Sequence, residues 1–482
     1  MKLSRREFIA ASGLFALSAG RVRANRKMSV TVLGAGLAGL SAAYQLAKNG
    51  FEVTVVEARD RVGGRVFTLR TPFDDGLITE TGGELIGDDY KRFLGYADEF
   101  GIGYSELRAE AETGGSVSDI QDGIGRNAYM KGRFFRKGDV ITKHPYGLKG
   151  DEAQMLPPTL LGKYLRLINN EIREGKTTLA ELDRVSLAEA LRSRGVSKKA
   201  VKLINISLNY NSVYTASAAG VLHDGMKRRS AGTVPLRLEG GNDKMTKALA
   251  DASRRLGAEI VLRSPVSKIE RTAGKVSVWC RNGPAGLKKF EADRVVCTIP
   301  YSVLRNIPVT PAFELEKQRA INELGYTRVT KVFMQAKFVE WDKRSLGSSI
   351  WTDTPIERIF STTGKTGDQR ALFTVWTEGD GSRKLQNMNA AKRISYAVSK
   401  FEKVLPFMRG AVEKSDTLSW SQEPFSKGAY AHFEVGQFNS LSSVTAKSDG
   451  RIHFAGEHTA VSMPGMEGAL ESAERVVSEI TR

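Results

Sequence analysis

Between residues 29 and 56 the hydrophobic positions change period twice. Residues 30–33 form an unbroken apolar run suited to a buried strand. Leu37, Leu40, Ala43, Tyr44 and Ala47 then recur at helical spacing as far as Gly50, and Val53, Val55 and Val56 supply a second strand. After residue 87 the pattern is irregular through about residue 155, with glycine patches at Gly114-Gly115 and Gly123-Ile124-Gly125. Amphipathic spacing returns at Leu160, Leu161, Tyr164, Leu165 and Ile168, and again at Leu187, Ala190 and Leu191. From Gly240-Gly241 the chain predicts a helix carrying Met245, Leu249 and Ala252, then strands near 259–262, 276–279 and 295–299. A second excursion over 321–414 predicts strands at 331–335 and 372–376 and a helix near 390–404. A last strand at 451–455 leads through Gly456 to a helix ending at Ile480. The order places 28–90, 235–320 and 415–482 in one discontinuous α/β domain. Residues 91–234 and 321–414 form an interleaved α+β domain, helical near 155–230.

The turn between the first strand and helix is Gly34-Ala35-Gly36-Leu37-Ala38-Gly39. In a Rossmann-like unit the first glycine permits the tight turn, the second lets a pyrophosphate approach the backbone, and the third lets helix and strand pack closely. The phosphate then sits at the helix N-terminus. Glu57 closes the second strand, where a carboxylate accepts hydrogen bonds from ribose hydroxyls and disfavours a 2′-phosphate, so NADP is disfavoured. Ala58, Arg59, Arg61, Gly63, Gly64 and Arg65 follow. The expectation is a dinucleotide site.

Composition narrows the picture. The 482 residues, 41% hydrophobic, are enough for a large core and for two or three domains. The formal charge is +18, with the excess spread in short clusters such as Lys198-Lys199, Lys227-Arg228-Arg229 and Lys288-Lys289. A solvated surface accounts for it, with attraction to an anionic membrane or an acidic partner left open. No nucleic-acid module is present. Cys280 and Cys297 are the two cysteines, both in apolar runs, so no disulfide framework is expected. His144, His223, His432, His453 and His458 show no metal-ligand spacing, and no metal site is expected. At the N-terminus Lys2, Arg5 and Arg6 precede a mostly apolar stretch over 8–19 and the small-residue cleavage region Val22-Arg23-Ala24. This reads as a secretory signal over 1–24, too short for a mature membrane span. Ser4-Arg5-Arg6-Glu7-Phe8-Ile9 resembles a twin-arginine signal, which implies export of the folded protein to the periplasm or beyond.

Beyond residue 28 the chain resembles the FAD-containing amine oxidases, which include monoamine, polyamine and L-amino acid oxidases. The opening glycine run, residues 57–65 and Glu80-Thr81-Gly82-Gly83 are similar to that family's motifs. So are Phe454-Ala455-Gly456-Glu457-His458-Thr459 and Gly465-Met466-Glu467-Gly468-Ala469. The resemblance implies a glutathione-reductase-type FAD-binding domain. Its cofactor residues are Gly34, Gly36, Ala38, Gly39, Glu57, Ala58, Arg59, Gly63, Gly64, Arg65, Gly82, Gly83, Glu84, Val266, Trp420, Gly456, Glu457, Gly465 and Met466. Lys331 falls where many members carry a lysine that holds a water near flavin N5, and Tyr430 falls where an aromatic ring faces the substrate. Both are expected to be catalytic. Where monoamine oxidases carry a flavin-binding cysteine this chain has Ala429, so the FAD is expected to be non-covalent.

The implied chemistry is hydride loss from the α-carbon of a neutral amine to flavin N5, hydrolysis of the imine, and reoxidation by dioxygen with release of peroxide. A quinone or carrier as acceptor is the dehydrogenase alternative, and a non-catalytic flavoprotein a further one. Gly465 replaces the aromatic residue of the usual two-ring cage, so Trp351, Phe373 or Trp376 is expected to complete it. The arginine that clasps a substrate carboxylate in several L-amino acid oxidases is missing near Glu84-Leu85. Two readings of Glu84 stand: an anchor for a second cationic group of the substrate, or a partner for a nearby Lys or Arg. The first favours a diamine or polyamine, with basic L-amino acids as the alternative, and Glu84, Tyr430 and Gly465 as substrate contacts. A second copy of the chain is kept open as a partner.

Overall fold

The computed structural model describes residues 27–106, 127–136, 138–206, 208–229, 232, 234–337, 349–362 and 370–482. The expected signal segment lies outside them. Among the described residues, five parallel strands form the sheet behind the glycine turn, in the order Glu259–Val261, Glu52–Val56, Ser29–Leu33, Arg294–Cys297 and Ile452–Phe454. Ser29–Leu33 is buried along its whole length because it has a neighbour on each edge and layers on both faces, as expected of a continuous apolar strand in a parallel sheet. Helix Leu37–Lys48 covers it. Alanines and glycine on its inner face let it lie close to the sheet and against helices Asp243–Arg255 and Gly465–Thr481. Leu40 and Leu46 are fully buried there, each contributing about 2 kcal/mol of apolar burial. The helix stops at Asn49-Gly50, where Gly50 adopts a φ of 84° and returns its N–H to Ala47.

Helix Lys91–Glu99 belongs to this same body. Phe93 and Ala97 share a core with Leu40 and Leu470. The fully buried Glu467 carboxylate accepts the Arg92 and Phe93 N–H groups, both at 3.0 Å, satisfying donors at that helix's first turn. Tyr104–Glu106 pairs with Pro235–Leu238. The boundary drawn from pattern at residue 90 therefore falls inside a packed layer.

A second, seven-stranded sheet runs Val412–Ser419, Val329–Lys337, Arg370–Glu378, Arg358–Thr362, Ser349–Thr352, Asn127–Met130 and Arg133–Phe135. Its strand Val412–Ser419 crosses the boundary expected at 414. The alternation of Val329–Lys337 sets what each face does. Val332, Met334 and Ala336 pack with Phe373, Val375 and helix Ala390–Val404, which leaves Lys331 on the opposite face. Helices Pro157–Arg173, Leu187–Arg192, Lys198–Asn205 and Ala218–Arg229 build a separate apolar cluster that includes Trp351. Cys280 and Cys297 are free and buried, and burial pushes both thiols up to about 12. Among the described residues no helix is long and apolar enough to cross a membrane.

Candidate active site

The glycine turn meets three different environments. Gly34 has a φ of 104°, and a Cβ there would come within 2.6 Å of Thr298 Oγ1. At Gly39 a Cβ would stand 2.0 Å from the Gly34 carbonyl, so only glycine lets the helix approach the strand end. Gly36 differs, because a Cβ there would meet nothing within 4 Å. Its open side faces a cavity of about 590 Å³. Turn, approach and packing are thus divided among the three glycines as a pyrophosphate site requires. Glu57, 3% exposed, is fixed by the Ala35 N–H at 2.7 Å and the Arg59 N–H at 2.8 Å, one to each carboxylate oxygen. Each oxygen keeps a lone pair for a ribose hydroxyl.

The far ends of the chain meet along the same cavity. Arg65 donates to Glu457 Oε1 at 2.7 Å and to the Ala429 carbonyl at 2.8 Å, and the Ala431 N–H donates to the same Glu457 oxygen at 3.0 Å. A Cβ on Gly82 would stand 1.8 Å from the Arg65 carbonyl, and one on Gly83 would stand 2.8 Å from Met466 Sδ. Helix Gly465–Thr481 begins at the wall, with Gly465 and Met466 both lining it. Glu57, Ala58, Arg59, Val266, Trp420 and Gly456 line the cavity as well. A phosphate turn at one end, a carboxylate for the ribose and a helix N-terminus further on fit FAD. Gly39 and Glu84 do not line the cavity.

At the other end Lys331, Trp376, Trp420 and Tyr430 close the cavity. Lys331 is 1% exposed and donates to Glu84 Oε2 at 3.0 Å and to the Glu80 carbonyl at 3.1 Å. In the folded chain the Glu84 carboxylate has the lysine partner that one of its two readings expected. Trp376 stands opposite Lys331 in the sheet register, and the ammonium sits 3.9 Å from the ring centroid, a cation–π contact. Of the three aromatics expected to complete the cage, Trp376 alone reaches the wall. Trp351 is packed among the helices, and Phe373 faces the core behind the sheet beside Phe401. Strand alternation explains it, since 373 and 376 lie on opposite faces.

Tyr430 donates its one hydroxyl proton to Glu378 Oε1 at 2.6 Å, and its oxygen also lies 3.0 Å from the Asn209 carbonyl. Burial and the Glu378 carboxylate hold its phenol well above the usual tyrosine range, so the ring stays neutral. Sequence reasoning missed Glu378, Arg358 and Asn209. The available signal was a charged residue two positions from a strand tryptophan, on the same face. Among the described residues no cluster of His, Cys, Asp and Glu could hold a metal.

Comparison with known proteins agrees with this geometry. The family model described as flavin containing amine oxidoreductase matches residues 37–481. The Bacillus subtilis (strain 168) protein named "Putative L-amino-acid oxidase YobN" is 29% identical over 464 residues, covering 94% of each chain. The L-amino-acid oxidase of Siganus canaliculatus is 27% identical over 95% of this chain and 86% of its own. The flavin-dependent L-tryptophan oxidase RebO of Lentzea aerocolonigenes is 27% identical over 94% and 97%. Among solved structures, putrescine oxidase bound to putrescine superposes with a TM-score of 0.75 at 20% identity, over 94% of this chain and 99% of that one. Cyclohexylamine oxidase from Brevibacterium oxydans IH-35A gives 0.75 at 19%, over 95% and 100%. These two share the fold.

Proposed function

The chain belongs to the flavin-containing amine oxidoreductases, and from that premise we propose that it oxidises the C–N bond of an L-α-amino acid, with dioxygen as the electron acceptor. The observation that carries the choice of substrate is the Lys331–Glu84 pair at 3.0 Å. The diamine or polyamine reading rested on Glu84 as a second anchor, and in the folded chain that charge faces an ammonium. The relatives over most of the chain's length bear L-amino-acid oxidase names.

Bound FAD supplies the hydride acceptor at N5. The protein supplies the surroundings. Trp376 and Tyr430 exclude water from the amine and favour its neutral form, the form with a lone pair to expel the hydride. Lys331 supplies a cation that stabilises developing negative charge and orders a water for hydrolysis.

The test is anaerobic bleaching of the yellow protein with L-tryptophan, L-phenylalanine, L-leucine, L-lysine, L-glutamate, their D-enantiomers and putrescine. Bleaching by L-amino acids with peroxide formed on admitting air is expected. Bleaching by putrescine alone refutes the substrate class, and bleaching without peroxide refutes the oxidase assignment in favour of a dehydrogenase. We also propose that residues 1–24 direct export of the folded holoprotein by the twin-arginine route. Replacing Arg5 and Arg6 by Lys should retain the protein in the cytoplasm; unchanged fractionation refutes that.

A further inference from the structure

Behind the aromatic wall lies a set of polar contacts that joins three distant stretches of the chain. Glu378 Oε1 accepts both the Tyr430 hydroxyl at 2.6 Å and the Trp376 indole N–H at 3.0 Å. Its other oxygen forms an ion pair with Arg358 Nη2 at 2.6 Å, without hydrogen-bond geometry. Arg358 in turn donates to the Asn209 side-chain oxygen at 3.0 Å, while the Asn209 carbonyl lies 3.0 Å from the Tyr430 hydroxyl oxygen. Arg358, Trp376 and Lys331 stand directly opposite one another on three neighbouring strands. The guanidinium carbon lies 5.5 Å and the lysine Nζ 3.9 Å from the Trp376 ring centre. Glu378 is 2% exposed, so its bonds are shielded from competing water.

We infer that Glu378 is a positioning residue: one carboxylate oxygen sets the orientation of both rings, Trp376 and Tyr430, that line the reactive end of the cavity. Arg358 holds that carboxylate in place, and Asn209 ties the group to the helical part of the chain. The inference rests on the reading of this cavity as a flavin site for amine oxidation. Each ring alone has a torsion about its Cβ–Cγ bond to swing through. Tied to a common acceptor, neither turns without breaking a buried hydrogen bond.

The test uses purified holoenzyme of Glu378→Met, which keeps the volume and removes the acceptor, and Glu378→Gln, which keeps an acceptor oxygen. With the amino acid from the bleaching panel that reduces the wild type fastest, Glu378→Met is expected to lower kcat/KM by about tenfold or more at unchanged FAD content. Its flavin fluorescence lifetime should lengthen as the quenching rings leave their places, and Glu378→Gln should recover most of both changes. A Glu378→Met enzyme within about twofold of wild type in both readouts overturns the inference, as does one that Glu378→Gln does not improve upon. If Glu378→Met yields no folded holoenzyme, Tyr430→Phe, Trp376→Phe and their double variant decide. Rings sharing one acceptor give a double effect that departs from the product of the singles, whereas a match within about twofold overturns the inference. Should no panel compound bleach the wild type, the substrate reading fails while the lifetime measurement still reports on Glu378.

Discussion

Replacing Lys331 by Met removes one ammonium from a buried position while keeping the length of the side chain. Four interactions disappear: the ion pair to Glu84 at 3.0 Å, the bond to the Glu80 carbonyl at 3.1 Å, the contact with the Trp376 ring at 3.9 Å and a longer one with the Phe333 ring at 6.0 Å. The Glu84 side chain is 31% exposed, so its freed carboxylate turns to water and the lost pair costs about 1 kcal/mol. The lost cation–π contact costs about 1 kcal/mol more, and the thioether returns part of that against the indole. The variant should therefore fold, with a loss of about 1–2 kcal/mol. FAD should stay bound, because Glu57 is held by the Ala35 and Arg59 N–H groups and none of the four lost interactions involves it or the glycine turn. The effect on chemistry is larger, since an electrostatic group facing developing charge in a water-excluded site is worth about 10²–10³ in rate. Anaerobic stopped-flow mixing with the best panel substrate reads flavin reduction, and mixing the reduced enzyme with air-saturated buffer reads reoxidation. One of these rates should fall by about two orders of magnitude. If both stay within about threefold of wild type while FAD is retained, Lys331 has no part in the mechanism.

The remaining predictions concern the neighbours, the cofactor and pH. Glu84→Gln should lower turnover by about tenfold through Lys331 while leaving the KM values for L-lysine and putrescine close to wild type; a KM rise confined to dicationic substrates would restore Glu84 as a substrate anchor. Glu57→Gln turns one acceptor oxygen into a donor facing an N–H and should weaken FAD binding by about 1–2 kcal/mol, roughly five- to thirtyfold, by equilibrium dialysis. Because Ala429 leaves no thiol where monoamine oxidases attach the flavin, acid precipitation should leave all the yellow chromophore in the supernatant, and colour in the pellet refutes this. His432 is buried, with its value lowered from 6.5 to about 4. The folded state resists protonating it while the unfolded chain does not. Its contribution is therefore complete above pH 6.5 and is lost as pH falls toward 4, by at most about 3 kcal/mol. His432→Asn should flatten the dependence of stability on pH across that window, and an unchanged slope refutes the assignment.

How much of this was legible in the residues depends on how far apart the interacting groups lie. The strand, glycine turn, helix and Glu57 are specified within about thirty positions by steric and hydrogen-bonding demands that act locally, and the structure places them as the pattern indicates. The same holds for Val329–Lys337, Arg370–Glu378 and Ala390–Val404, whose apolar spacing sets their faces. Boundaries were less legible, because helix Lys91–Glu99 owes its place to Glu467, some 374 positions away, and nothing near residue 90 announces that partner.

The sequence by itself determined a dinucleotide fold, since that is carried by a short motif whose geometry is local, while the flavin and the expected roles of Lys331 and Tyr430 were implied by resemblance to a family. Only the tertiary structure decided that Glu84 pairs with Lys331, that Trp376 rather than Trp351 or Phe373 completes the wall, and that Glu378 gathers the rings. Those outcomes follow from strand register and from which face each strand turns toward the cavity, and register is set by pairing between segments that no local pattern connects.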